Sequence, residues 1–157
     1  MYRNAHLDDI DSIIALESAA YGIPPMIVQA QMPFMRQEWM QAIEGDQVLC
    51  LDNPEGALIG AIHVSERDVT SAGSERTLVS LMVSPEAQRS GHGGALLRSF
   101  LDVCDQSGHT AALKVAPTNT GAIHLYQRSG FKKTGREDGG LLRMVRDPNP
   151  EGDTLEL

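Results

Sequence analysis

The sequence has few aromatic residues and few cysteines. Of its 157 residues, one is tryptophan, three are tyrosine, three are phenylalanine and two are cysteine. A secreted fold held by disulfides needs more cysteines, so we expect Cys50 and Cys104 to be reduced, buried thiols of a cytoplasmic protein. No apolar run approaches the about 20 residues that span a bilayer. The acidic start around Asp8 and Asp9 is unlike an export signal.

Positive charge is also scarce. Lysine and arginine number 13 against 21 aspartates and glutamates, which gives a formal net charge of -8 and a pI near 5.0. Binding to nucleic acid or to an anionic membrane requires clustered cations, so we expect neither partner. A cationic substrate is compatible with the charge. The content of 41% hydrophobic and 22% charged residues is typical of a soluble protein, and the length suits one domain.

Hydrophobic periodicity predicts a strand, two helices, three strands, and then a helix, a strand, a helix and two final strands. This order indicates the α/β class. A polar loop is expected over residues 67–74, and an acidic tail over residues 147–157. The predicted strands cover residues 1–4, 48–51, 57–64, 78–83, 111–115, 131–134 and 141–145. The predicted helices end at Gly22, at Glu44 after a start near Met35, at Gly108, and at Ser129 after Asn119.

The most informative stretch is a glycine-rich loop between a predicted strand and a predicted helix. It reads Gln88-Arg89-Ser90-Gly91-His92-Gly93-Gly94. The start of a helix offers unsatisfied N–H groups and partial positive charge, and glycine lets a diphosphate approach the backbone. A Walker loop is excluded because Gly94 precedes Ala95-Leu96 rather than a lysine, and the glycine spacing does not fit the dinucleotide fingerprint. Taken alone, the loop could also be an ordinary strand-to-helix turn.

Two motifs together resemble the GNAT superfamily of N-acetyltransferases. The loop fits Gln/Arg-x-x-Gly-x-Gly/Ala, and the stretch from Asn119 to Phe131 fits Asn-x-x-Ala-x-x-Leu-Tyr-x-x-x-Gly-Phe. The resemblance covers residues 1–146. It implies the acyl-CoA N-acyltransferase fold, a mixed central sheet of about six or seven strands flanked by about four helices.

The resemblance also implies a reaction and a set of site residues. The reaction is direct transfer of the acetyl group of acetyl-CoA to a primary amine of a small molecule or protein. Tyr126 is implied as the general acid that protonates the departing CoA thiolate; packing in the core is the alternative role for this ring. The implied contacts to acetyl-CoA are Leu81, Met82, Val83, Gln88, Arg89, Ser90, Gly91, His92, Gly93, Gly94 and Asn119.

The general base is left open by the sequence. Where members of the superfamily carry a glutamate, this chain has Thr77 or Lys114. Glu75, His63 or Glu66 could act through water, or the amine could react from its small neutral fraction. The missing carboxylates leave a second function open, a non-catalytic acetyl-CoA-binding regulatory module of the same fold.

The acceptor is also left open, among a protein α-amine, a lysine side chain, a polyamine, an amino acid and an antibiotic amine. A cluster of methionine and aromatic residues over residues 26–39 could line its pocket or belong to the core. The five histidines have no ligand-like spacing among themselves or with the cysteines, so no metal is expected. A homodimer is possible because dimers are common in the superfamily.

Overall fold

The computed structural model describes residues 2–69, 73–88, 90–136 and 138–149. Within these residues the elements follow the predicted order. They are β1 (Tyr2–Asn4), α1 (Ile10–Tyr21), α2 (Pro25–Glu44), β2 (Val48–Asp52), β3 (Leu58–Val69), β4 (Gly73–Val83), α3 (His92–Ser107), β5 (Thr110–Val115), α4 (Thr120–Arg128), β6 (Lys132–Arg136) and β7 (Leu142–Arg146).

The strands form one mixed sheet in the order β1-β2-β3-β4-β5-β7-β6. Strand β2 pairs antiparallel with β1 and β3, and β7 pairs antiparallel with β5 and β6. Strand β4 pairs parallel with β5, a connection that needs a crossover and receives it from α3. The seven-stranded sheet and four helices confirm the predicted fold class.

The chain divides into two compact units, Met1–His63 with Ser80–Leu96, and Val64–Val79 with Leu97–Leu157. In the first unit, α1 turns Ile10, Ile13 and Ile14 into a core that also holds Trp39 and Cys50. Isoleucines at this spacing lie on one face of a helix, which is why the segment folds against the strands. Helix α1 ends at Gly22, as predicted, and this glycine takes a left-handed φ of +63°.

Two sequence-based bounds were wrong. Helix α2 begins at Pro25, whereas the prediction began near Met35. Proline fits the first position of a helix because the N–H it lacks would have no partner there. Pro25 can therefore be the first residue of α2, with Pro24 as its N-cap. Part of the loop predicted over residues 67–74 is strand, because β3 continues to Val69 and β4 begins at Gly73; residues 70–72 lie outside the described residues. Polar residues are compatible with a strand that has one solvated face, so polarity alone does not mark a loop.

In the second unit, a buried ion pair joins α3 to β7. The Arg146 guanidinium donates to both Asp105 oxygens, at 2.7 and 3.1 Å, and its Nε donates to the Ser129 carbonyl at 3.0 Å. The backbone N–H of Asn149 also donates to Asp105, at 2.8 Å. These contacts anchor the first residues of the predicted tail. Residues 150–157 of that tail lie outside the described residues.

Candidate functional site

The carboxyl end of β4 leads through a short turn into α3. The Ser84 N–H donates to the Ile59 carbonyl at 2.8 Å, and Pro85–Ala87 form one 3-10 turn. The Gln88 side-chain amide then folds back and donates to the Val83 carbonyl at 3.1 Å. The loop is therefore held to the end of the strand from which it departs.

The glycines of this loop leave open space. Gly91 has a φ of +80°, a conformation that favours glycine, and its carbonyl accepts the first hydrogen bond of α3, from Ala95, at 3.0 Å. Among the described residues, a Cβ on Gly93 would have the Val83 side chain as its neighbour, at 3.8 Å, and one on Gly94 would meet nothing within 4 Å. Neither backbone conformation nor packing against this part of the chain requires glycine at residues 93 and 94. A ligand lying close to the backbone would require it, so the loop fits a phosphate-bearing cofactor.

A different glycine brings the start of α3 close to the sheet. A Cβ on Gly60 would lie 3.0 Å from Leu96 Cδ1 and 3.3 Å from the Met82 carbonyl oxygen. Leu96 and Met82 are almost fully buried. Strand β3 thus needs glycine here so that α3 can pack against it, and this packing fixes the first turn of α3 beside the end of β4.

The remaining predicted cofactor residues are distributed between the two units. In the first unit, Ser90 and Gly91 are exposed and His92 is half-buried, whereas Arg89 lies outside the described residues. In the second unit, Asn119 caps α4, its side-chain oxygen accepting from the Ala122 N–H at 3.3 Å.

Tyr126 lies on α4 and is half-buried. Its ring contacts Phe131 edge-to-face, with centroids 5.8 Å apart. The ring packs against its own unit and is only partly buried, which is compatible with a phenol that contacts a ligand at the protein surface.

The positions considered for a general base have separate surroundings. Thr77 is half-buried in β4 and Lys114 is exposed on β5. Glu75 is paired through both carboxylate oxygens with Arg143, at 2.9 and 3.3 Å, near the amino end of β4. Both oxygens of the Glu75 carboxylate are therefore engaged by the Arg143 guanidinium. The side chain of Glu66 lies outside the described residues.

His63, the third candidate base, lies beside aromatic and amide groups. Its ring centroid is 5.4 Å from that of Trp39, and its Nε2 is 3.4 Å from Gln47 Oε1. Burial lowers the pKa of His63 below its usual value of 6.5. The imidazole is consequently neutral at pH 7.

Sequence reasoning missed two polar side chains of α1 near the end of β4. The Tyr21 hydroxyl donates to the Leu81 carbonyl at 3.4 Å, and Glu17, one helical turn earlier, accepts a hydrogen bond from the Trp39 indole. Burial raises the pKa of Glu17, and the negative charge of Glu38 raises it further. Burial also raises the pKa of Tyr21, with the charge of Glu17 adding to it. The only local signal was the helical i, i+4 spacing of the two residues.

The methionine and aromatic cluster of α2 has two different parts. Met32, Met35 and Trp39 pack in or against the core of the first unit. Met26 and Phe34 are 80% and 59% exposed. The core interpretation therefore holds for the first part of the cluster, and the acceptor-pocket interpretation stays a prediction for the exposed part.

The described residues contain no group of three histidine, cysteine or acidic side chains placed to share a metal ion. No α-helix in the described ranges has both the length and the apolar character needed to cross a membrane.

Comparison with known proteins gives related sequences and folds. The model of a family described as the acetyltransferase (GNAT) family matches residues 10–131. The ribosomal protein bS18-alanine N-acetyltransferase of Escherichia coli K12 is 34% identical over 45% of this chain and 55% of its own length. The chain therefore matches about half the length of this curated relative.

Solved structures share the fold over nearly the whole chain. The PaiA N-acetyltransferase from Thermoplasma acidophilum, in complex with coenzyme A, has a TM-score of 0.77 at 18% identity, covering 94% of this chain and 98% of its own. The ribosomal-protein-S18-alanine N-acetyltransferase from Escherichia coli has a TM-score of 0.72 at 21% identity, covering 100% and 99%. At these identities the likeness concerns the fold.

Proposed function

The chain belongs to the acetyltransferase (GNAT) family, and we propose that it transfers the acetyl group of acetyl-CoA to a primary amine. The observation that carries the proposal is the first turn of α3, where neither φ nor packing against the described residues requires glycine at Gly93 and Gly94. Open backbone at the start of a helix is suited to a pyrophosphate. The fold shared with a coenzyme A complex supports the same ligand.

The cofactor contacts in this proposal are mostly backbone groups. N–H groups of the loop and of the first turn of α3 would bind the pyrophosphate, and backbone groups at the end of β4 would hold the pantetheine arm and the thioester carbonyl. Acetyl-CoA supplies the acetyl group as an activated thioester. The residues proposed to contact it are Leu81, Met82, Val83, Gln88, Arg89, Ser90, Gly91, His92, Gly93, Gly94 and Asn119.

Tyr126 is proposed as the general acid. The sulfur that leaves the tetrahedral intermediate is a thiolate, and a phenol within hydrogen-bond reach can protonate it. The half-buried position of Tyr126 on α4 supports this role because the ring is packed on one side and not enclosed.

The first acceptor to test is a protein α-amine. The curated relative is named for an alanine of ribosomal protein bS18, and a peptide that begins with alanine supplies the same chemical group. The exposed apolar residues of α2, among them Met26 and Phe34, support an acceptor with an apolar portion.

The experiment that tests the function measures CoA release from acetyl-CoA with a panel of acceptors. The panel contains alanine-starting peptides, lysine peptides, polyamines, amino acids and aminoglycosides. We expect release above the hydrolysis background with at least one amine. Acetyl-CoA binding in calorimetry without release for any amine would instead support the regulatory module.

We predict that Tyr126→Phe lowers kcat by about 100-fold or more, because removing a general acid costs 10²–10⁴. Acetyl-CoA affinity should change little, since the ring is retained. The measurement is steady-state kinetics with calorimetry on the same samples. Tyr2→Phe, on the exposed edge strand β1, is the matched control and should keep full activity. An unchanged kcat for Tyr126→Phe across pH would refute the assignment.

A further inference from the structure

We propose that Glu17 is the group that removes the proton from the acceptor ammonium, a role that rests on the transferase function proposed above. Glu17 lies in α1, in the unit that also contains the end of β4 and the glycine loop. Neither motif of the sequence includes it. Its assignment comes from its position, its partners and its charge.

Glu17 is placed beside the end of β4 through Tyr21. The two residues are four apart in α1 and so lie on the same face of the helix. The Tyr21 hydroxyl reaches the Leu81 carbonyl at 3.4 Å, and the charge of Glu17 acts on this hydroxyl. Leu81 begins the strand segment proposed to hold the thioester. The proposal requires that a carboxylate here lie next to the position that an attacking amine must reach.

Trp39 orients the Glu17 carboxylate without using up its acceptors. The indole has one N–H, which donates to Glu17, and a carboxylate has about four acceptor positions. The side chain is half-buried, so part of it is accessible from solvent. The Trp39 ring is itself held in the core, 5% exposed, and contacts the His63 ring at an interplanar angle of 50°.

The surroundings of Glu17 favour a base. The groups that face it are Tyr21 on α1, Trp39 and Glu38 on α2 and, behind the indole, His63 on β3. Glu38 has the same charge as Glu17, and His63 is neutral at pH 7. Burial, with a smaller effect of Glu38, raises the pKa of Glu17 above 4.5 and outweighs the lowering by the Trp39 hydrogen bond, which makes the carboxylate a stronger base.

The proposed step balances in atoms and charge. Glu17 takes one proton from R–NH₃⁺ and becomes a neutral acid, which later returns that proton to water. The neutral amine nitrogen bonds to the acetyl carbon, and the carbon–sulfur bond then breaks. Tyr126 gives a proton to the sulfur and is reprotonated by the second proton that leaves the amide nitrogen. The net products are the N-acetyl amide, CoA–SH and one proton.

The kinetic test is Glu17→Gln, whose amide oxygen still accepts from Trp39. We expect kcat/KM at pH 7 to fall about 100-fold. The wild-type rate should rise with pH through the pKa of Glu17. The variant should lack this rise and approach the wild-type rate near pH 9.5, as the amine itself loses its proton. Glu44→Gln, at the exposed end of α2, is the matched control and should show the wild-type profile.

A second measurement needs no substrate. Trp39 is the only tryptophan, so its fluorescence reports directly on the carboxylate bonded to it. Titration of the wild-type protein should show one transition above pH 4.5 from Glu17 and one below pH 6.5 from His63. Glu17→Gln should lose only the first transition, and His63→Asn only the second.

The outcomes separate this role from the function itself. If the wild type releases CoA with an amine and Glu17→Gln keeps the wild-type pH–rate profile, the base role is wrong and the transferase function stands. If Glu17→Gln keeps both fluorescence transitions, the proposed carboxylate geometry is wrong. If the wild type binds acetyl-CoA but releases CoA with no amine, both proposals fail together. Unchanged acetyl-CoA affinity in Glu17→Gln is expected in every case.

Discussion

Arg146 places a guanidinium that is 4% exposed at the end of β7 and satisfies it with three acceptor contacts. Burial alone would raise the pKa of Asp105, but hydrogen bonds from Arg146 and the Asn149 N–H outweigh this and lower it. Such a pair is costly to break from one side, because the remaining charge stays buried without compensation.

At the residue scale we predict that Asp105→Asn destabilises the protein by about 3 kcal/mol, the usual cost of removing one member of a buried pair. Urea unfolding at pH 7 gives the measurement. Asp102→Asn, an exposed position of the same helix, should shift the free energy of unfolding by less than about 0.5 kcal/mol. Equal effects of the two substitutions would show that the pair contributes little.

The sequence identified the family because the patterns that mark it are formed by neighbours in the chain. The glycine loop and the Asn119-to-Phe131 motif are local patterns, and the two motifs led to the family that the comparisons show. The contact between Glu17 and Trp39 joins α1 to α2, so no local pattern contains it. The partner of Glu75, Arg143 of β7, is still further along the chain.

At the element scale, helix stability and the proposed cofactor binding favour different residues in the first turn of α3. Glycine is about 0.5–1 kcal/mol worse than alanine in a helix. The helix has glycine at residues 93 and 94 in spite of this loss of stability, although the described residues around both positions leave room for a side chain. The cost is understandable if a ligand needs the same space.

We predict that the series Gly93→Ala and Gly93→Leu raises stability and lowers acetyl-CoA affinity. The alanine variant should gain up to about 1 kcal/mol in urea unfolding. Its affinity should fall about tenfold, or about 1.4 kcal/mol, and the leucine variant should bind still more weakly. Calorimetry measures the affinity, and the unfolding data show that the fold is intact. Affinity that does not change along the series would remove the loop from the cofactor site.

Helix α2 shows why element bounds are harder to predict than element order. Its fully buried residues, Trp39, Ala42 and Ile43, all lie in the second half. In the first half, Val28 and Met32 pack against the core but are only partly buried, and exposed apolar side chains and Pro33 lie among them. The hydrophobic period of the first half is therefore obscured, and the start of the helix is hard to predict from sequence.

At the scale of the whole molecule, titratable groups in both units define a pH range of stability. The pKa of Asp9 is lowered, chiefly by the hydrogen bond from Arg3, and that of His63 is lowered by burial. A group whose pKa is lower in the folded than in the unfolded state contributes stability that is lost as the pH falls through the folded-state pKa. Burial raises the pKa of the Cys50 and Cys104 thiols to about 11, so their contribution is lost as pH rises beyond 9.0.

We therefore predict a plateau in the free energy of unfolding between about pH 7 and pH 8.5, with losses below about pH 6 and above about pH 9. The pKa of Glu17 is raised in the folded protein, so its contribution to stability grows as the pH falls and partly offsets the losses from Asp9 and His63. Urea unfolding at half-unit intervals gives the profile, and Cys104→Ala should flatten its alkaline side. Maximum stability near the pI of 5.0 would contradict the prediction.

The two edges of the sheet affect how copies of the chain can meet. Strand β1 is three residues long, and β6 carries the exposed Lys132 and Lys133 before a break in register at Gly135. Two β6 strands brought side by side would oppose lysine with lysine and could not align their hydrogen bonds past the break. Edge-to-edge pairing of sheets from different copies into extended aggregates is therefore disfavoured, even at high protein concentration.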